Sequence, residues 1–114
     1  AMSRSRFPGV LARLQDEPRT LPGDYKVRQE EIWEQLRTGR TMLLAEVVRD
    51  LTWHEEREHL TKKDGEYLTR AKSRLAAELA LVSGMEVADM EKKIDDTLNA
   101  AISAARERER RHQA

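Results

Sequence analysis

Leu44, Val47, Val48 and Leu51 stand at i, i+3, i+4 and i+7, and no other feature of this 114-residue chain limits its fold as much. At about 100° per residue the four side chains share one stripe of a helix. Two adjacent β-branched valines each lower helix propensity by about a few tenths of a kcal/mol, so burial against other helices has to supply most of the stability. Such a helix needs neighbours with apolar stripes of their own, and the flanking sequence provides them.

Pro8 can open a short helix from its first turn, with Val10, Leu11 and Leu14 on its apolar side. Asp16, Glu17 and Pro18 end it, and Leu21, Pro22 and Gly23 add a second break, which makes residues 16–23 a connector. Asp24 is placed to cap a second helix whose inward stripe is Ile32 and Leu36. Tyr25 lies on that stripe, and Trp33 lies about 60–100° away on its rim. Thr38 and Gly39 stop this helix, and Thr41 is placed to cap the central one, which runs to about Arg57. Leu60 and Thr61 followed by Asp64 resemble a capping box, opening a helix over 62–82 with Leu68, Ala71, Leu75, Leu79 and Val82 inward. After Ser83 and Gly84 a last helix starts near Glu86, with Val87, Met90, Ile94, Leu98 and Ile102 inward. Beyond Ala105 only charges remain, and Glu107 can pair with Arg110 and Arg111 in a solvated, fraying end.

The expected fold is therefore all-α, a compact bundle of about five helices with no sheet. Residues 1–6 read as a tag remnant (Ala1 and Met2) and flexible lead, 7–105 as one helical domain, and 106–114 as a charged helical tail. With 39% hydrophobic residues the chain has material for one core and not for two.

The 21 basic and 21 acidic side chains cancel, so no global field draws the chain to nucleic acid or to a membrane, and any DNA affinity must come from local patches. The absence of cysteine excludes disulfides and thiolate zinc sites and fits a reducing cytoplasm. No apolar run approaches the roughly 20 residues of a membrane span. His54 and His59 are five apart rather than four, which turns the second imidazole about 140° from the first on a helix, so a shared metal ion is not expected. With no glycine-rich phosphate loop and no nucleophile elbow, neither an enzyme nor a cofactor is expected.

Two basic surfaces are candidates for nucleic acid. Lys63, Tyr67, Arg70 and Arg74 fall within about 60° of one another, roughly 110° from the apolar stripe of their helix. Such a row can track a phosphate backbone, and it can equally serve only to solubilise the helix. Lys26, Arg28 and Arg37 beside Tyr25 and Trp33 form the second surface, diluted by Glu30, Glu31 and Glu34. Tyr25 taken alone reads as core, since it continues the stripe of Ile32 and Leu36, but its position at the helix tip leaves the matter open.

The run Ala45, Glu46, Val47, Val48, Arg49, Asp50, Leu51, preceded by the Thr38 and Gly39 stop and followed by Leu60 and Thr61, resembles the C-terminal domain of the CarD/CdnL family. That family comprises bacterial RNA polymerase-binding transcription regulators. The likeness continues in register through Ala71, Lys72, Leu75, Glu78, Leu79, Ala80 and Leu81 and covers about residues 10–103. It implies a cytoplasmic, nucleoid-associated module at the upstream edge of the transcription bubble that stabilises the open promoter complex. In the family an N-terminal Tudor-like domain, absent from these residues, binds the polymerase β subunit. An aromatic residue, usually Trp, wedges into the DNA minor groove.

Tyr25, after Pro22, Gly23 and Asp24, takes the wedge position, and Trp33 matches a second apolar surface position. Glu30 and Gly65 stand where relatives often carry Lys, and Val27 where Arg is common. The resemblance therefore implies weak contact with promoter DNA, carried by Tyr25, Lys26, Arg28, Trp33, Lys63 and Arg70, in a module expected to be a monomer. The alternative is a protein-interaction domain that uses Tyr25 and Trp33 on a protein and has no DNA affinity of its own.

Overall fold

The central helix, α3 (Thr41–Arg57), packs against every other helix of the computed structural model, which describes residues 3–113. Its neighbours are α1 (Phe7–Gln15), α2 (Tyr25–Thr38), α4 (Lys62–Ser83) and α5 (Val87–Gln113), with one 3₁₀ turn at Arg4–Arg6 and no strand among the described residues. Leu44, Ala45, Val47, Val48 and Leu51 are fully buried, and Arg49 and Asp50 between them are almost as deep. The segment is thus enclosed nearly all round, as its stripe and its need for partners predicted. Ala1, Met2 and Ala114, including the two residues read as a tag remnant, lie outside the described residues.

One core joins α3 to Val10 and Leu14 of α1, Ile32 and Leu36 of α2, Ala71, Leu75 and Leu79 of α4, and Met90, Ile94 and Leu98 of α5. Leu68 and Val82 of the expected α4 stripe are half-buried, and Val87 stays exposed because α5 begins at that residue and nothing lies over its first turn. Gly39 ends α2 with φ 67°, in the left-handed region that side chains disfavour. A Cβ built there would lie 2.7 Å from Nη2 of Arg74, the far end of an exposed side chain that can swing aside, so the backbone angle is the constraint.

Thr41 does not cap α3. The cap position is Arg40, without a side-chain hydrogen bond, and the Thr41 hydroxyl instead donates to Glu78 of α4 at 2.5 Å. The connector after α1 is held by α3 itself. Asp50 Oδ1 accepts from the Arg19 amide at 2.9 Å and from Arg49 Nε at 2.8 Å, and Arg49 Nη1 donates to the Arg13 carbonyl at 3.1 Å.

The end of α5 is not a free solvated tail. Glu107 does pair with Arg110 and Arg111, but Arg106 also pairs with Glu56, Arg57 with Glu109, and Arg108 with Glu17. Beneath these pairs Ile102 and Ala105 pack on Trp53 in a second small cluster, so α5 docks along α3 beyond the main core.

Candidate nucleic-acid interface

Asp24 starts α2 by accepting the Lys26 amide at 2.9 Å, which fixes the chain direction just before Tyr25. Tyr25 is the first helical residue, and its side chain is 51% exposed. Lys26 Nζ stands 6.0 Å from the centre of its ring. The inward place at this end of α2 is taken by Arg28, which is only 3% exposed. Arg28 lies four and eight residues before Ile32 and Leu36, on the true buried stripe.

All three nitrogens of that guanidinium are engaged. Nε and Nη2 donate to Oδ1 and Oδ2 of Asp64 at 3.1 and 2.7 Å, a bidentate fork, while Nη1 donates to the carbonyls of Pro22 and Gly23, both at 3.0 Å. Asp64 is fully buried and closes the capping box of α4: it accepts from the Thr61 amide at 3.0 Å and returns its own amide to the Thr61 hydroxyl at 3.1 Å. Gln29 Nε2 adds a donation to the same hydroxyl at 2.9 Å. Burial pushes the Asp64 carboxyl up, but hydrogen bonds from Arg28 and Thr61 and the guanidinium charge outweigh it and hold the group below its ordinary range.

This lock brings the beginnings of α2 and α4 together. Lys63, one residue before Asp64, is exposed, with its ammonium 5.3 Å from the ring centre of Tyr67. Arg70 is exposed about 10 Å further along α4. Lys26, Lys63 and Arg70 enter no ion pair among the described residues, whereas Arg37 pairs with Glu34 at 2.8 Å. Val27, 47% exposed, lines a shallow hollow on another side of α2 together with Arg19, Glu30, Glu31, Glu34 and Gln35. Lys26 at the tip of α2 and Lys63 and Arg70 on α4 are thus exposed cations, with the exposed carboxylates Glu30, four residues after Lys26, and Glu66, between Lys63 and Arg70, on the same helix faces. Among the described residues no cluster of three or more His, Cys, Asp or Glu is placed to hold a metal, and no helix is long and apolar enough to cross a membrane.

Residues 9–95 match the family model described as CarD, C-terminal domain. The chain belongs to the CarD family. A search of curated proteins finds no match. The CarD family is regulatory and non-enzymatic, tied to transcription and to RNA polymerase, and the matched residues contain the whole tip of α2 and the basic side of α4.

Two expectations for this CarD-family domain change with the side chains in place. Arg28 was expected to reach DNA phosphate, but its donors are spent on Asp64, Pro22 and Gly23 inside the protein, which leaves it structural. Tyr67 was expected on the exposed basic row, but at 9% exposure it belongs to the main core, and only Lys63, Arg70 and Arg74 of that row face solvent. Trp33 is exposed, at 44%, on the rim position its spacing predicted. The lock between Arg28 and Asp64 escaped the reading of the sequence, although a signal existed: each charge extends an apolar stripe by one turn, Arg28 before Ile32 and Asp64 before Leu68 and Ala71.

Proposed function

We propose that this CarD-family domain touches promoter DNA at the upstream edge of the transcription bubble and stabilises the open complex, while another domain holds polymerase. Tyr25 is the wedge against unstacked bases, Lys26, Lys63 and Arg70 contact phosphate, and Trp33 supplies a second apolar contact. The observation that carries this reading is the half-exposed Tyr25 ring at the very start of α2, on a tip fastened to α4 by buried hydrogen bonds. An aromatic ring with a polar edge suits a minor-groove wedge, since it can rest on a base and still hydrogen-bond at its tip. The domain acts as a monomer in the bacterial cytoplasm, at the nucleoid.

Loss of a base–aromatic stack costs about 1–3 kcal/mol, which is about 5- to 150-fold in an equilibrium or a dissociation rate. Tyr25→Ala in the polymerase-tethered protein is therefore expected to shorten open-complex lifetime by that range without lowering thermal stability. A stable variant with normal lifetime refutes the wedge, and a strongly destabilised one shows the ring to be core.

The second reading, a protein-binding surface that uses Tyr25 and Trp33, is favoured by one observation: both aromatics are exposed on the same helix, with exposed Val27 and Glu30 between them in sequence. Salt separates the two, because phosphate contacts release counterions and weaken steeply with ionic strength, whereas an apolar protein contact does not.

A further inference from the structure

The proposed wedge demands more of Tyr25 than exposure. A ring on a frayed first turn samples many directions, and a wedge that must meet one base step loses affinity to that freedom. The first turn of a helix is where fraying is easiest, and here the two residues before the cap are proline and glycine, with Gly23 exposed.

We infer that Arg28 and Asp64 together position the wedge: the buried fork fastens the turn carrying Tyr25 to the start of α4 and so sets the spacing between the ring and Lys63. The inference rests on the proposed role of Tyr25 in open complexes. Arg28 is suited to it because one planar group satisfies four acceptors at once: the two Asp64 oxygens and the carbonyls of Pro22 and Gly23. Those carbonyls belong to the turn, so the guanidinium ties down the backbone immediately before Asp24 rather than the helix behind it. On the other side, Asp64 is itself fixed by the Thr61 amide, so the clamp is anchored in the capping box of α4 and not in a mobile side chain. Lysine keeps the charge opposite Asp64 but has no fork with which to hold the carboxylate and both carbonyls. Arg28 and Asp64 are thus positioning residues that touch no DNA.

The test uses the chain itself and the polymerase-tethered protein. Backbone ¹⁵N order parameters of wild type are expected near ~0.85 at Gly23, Asp24 and Tyr25, and to fall below ~0.6 there, with α3 unchanged, in Arg28→Lys and in Arg28→Met/Asp64→Leu. The double variant removes both charges and keeps the fold testable should Arg28→Lys unfold. In open-complex assays both variants are expected to shorten lifetime as much as Tyr25→Ala does. A wild-type tip already below ~0.6, or clamp variants that keep an ordered tip, overturns the inference. So does a normal lifetime in the clamp variants when Tyr25→Ala shortens it. If Tyr25→Ala itself leaves lifetime unchanged, the wedge reading fails, and the order parameters alone decide whether the clamp exists.

Discussion

Asp64→Ala should be among the most damaging single substitutions in this domain. Arg28 is 3% exposed and Asp64 is fully buried, so removing the carboxylate leaves Nε and Nη2 of a buried guanidinium without acceptors. Breaking a buried pair from one side costs about 3–5 kcal/mol, and loss of the first-turn acid that completes the capping box adds about 0.5 kcal/mol. Set against a usual domain stability of about 5–15 kcal/mol, that is enough to unfold a large fraction of the molecules at modest denaturant. Arg28→Met/Asp64→Leu should recover most of the loss, because it removes both desolvation penalties, and the carbonyls of Pro22 and Gly23 lie close enough to solvent to take water in place of Nη1. Urea unfolding followed by circular dichroism measures both, with an unchanged m-value marking a change in stability alone. The reasoning is refuted if Asp64→Ala stays within about 1 kcal/mol of wild type, or if the double variant is as unstable as the single one.

The depressed carboxyl of Asp64 ties stability to pH. Between its folded value and the unfolded value near ~3.9 the unfolded chain binds more protons, so stability is fully present above that range and lost as pH falls through it; Asp64→Asn should flatten this acid limb in melting curves below about pH 4. Leu75→Ala, at a fully buried site, should cost about 2–5 kcal/mol and Val48→Ala less, and unfolding curves indifferent to both would show that the core lies elsewhere. With zero net charge the isolated domain should bind duplex DNA near ~10⁻⁴ M or more weakly at physiological salt, so its action depends on tethering; nanomolar affinity in a fluorescence titration contradicts this.

Helix positions were legible because each depends on a local signal. Asp24, Gly39, Thr61 with Asp64, and Gly84 act within one turn of themselves, and apolar side chains at helical spacing mark the inner faces. Thr41 shows the limit of that rule. A threonine before an apolar run favours capping, but Glu78 lies across from it on α4 and takes its hydroxyl. Arg49 and Asp50 show another. Apolar periodicity finds what is buried only when it is apolar, and these two charges are enclosed where the end of α1 supplies a carbonyl, that of Arg13, and the connector an amide, that of Arg19, to satisfy them.

Tyr25 was ambiguous for a geometric reason. Spacing along a sequence gives the angle at which a side chain leaves the helix axis, but coverage also depends on how far the neighbouring helix extends. Arg28 lies level with Asp64 in the first turn of α4, and Tyr25 is three residues, about 4.5 Å, nearer the end of α2. At that height α4 is at its own beginning, where Lys62 and Lys63 are exposed, and Tyr25 is exposed with them. The same reasoning accounts for Val87, which opens α5 on its inward stripe and is 46% exposed. A stripe position therefore becomes a surface position at a helix tip, and burial passes to the next residue along the stripe: Arg28 after Tyr25, Met90 after Val87. At the tip of α2 that next residue is charged, so the turn that carries Tyr25 is fastened by directed hydrogen bonds to Asp64, Pro22 and Gly23 rather than by apolar contact alone.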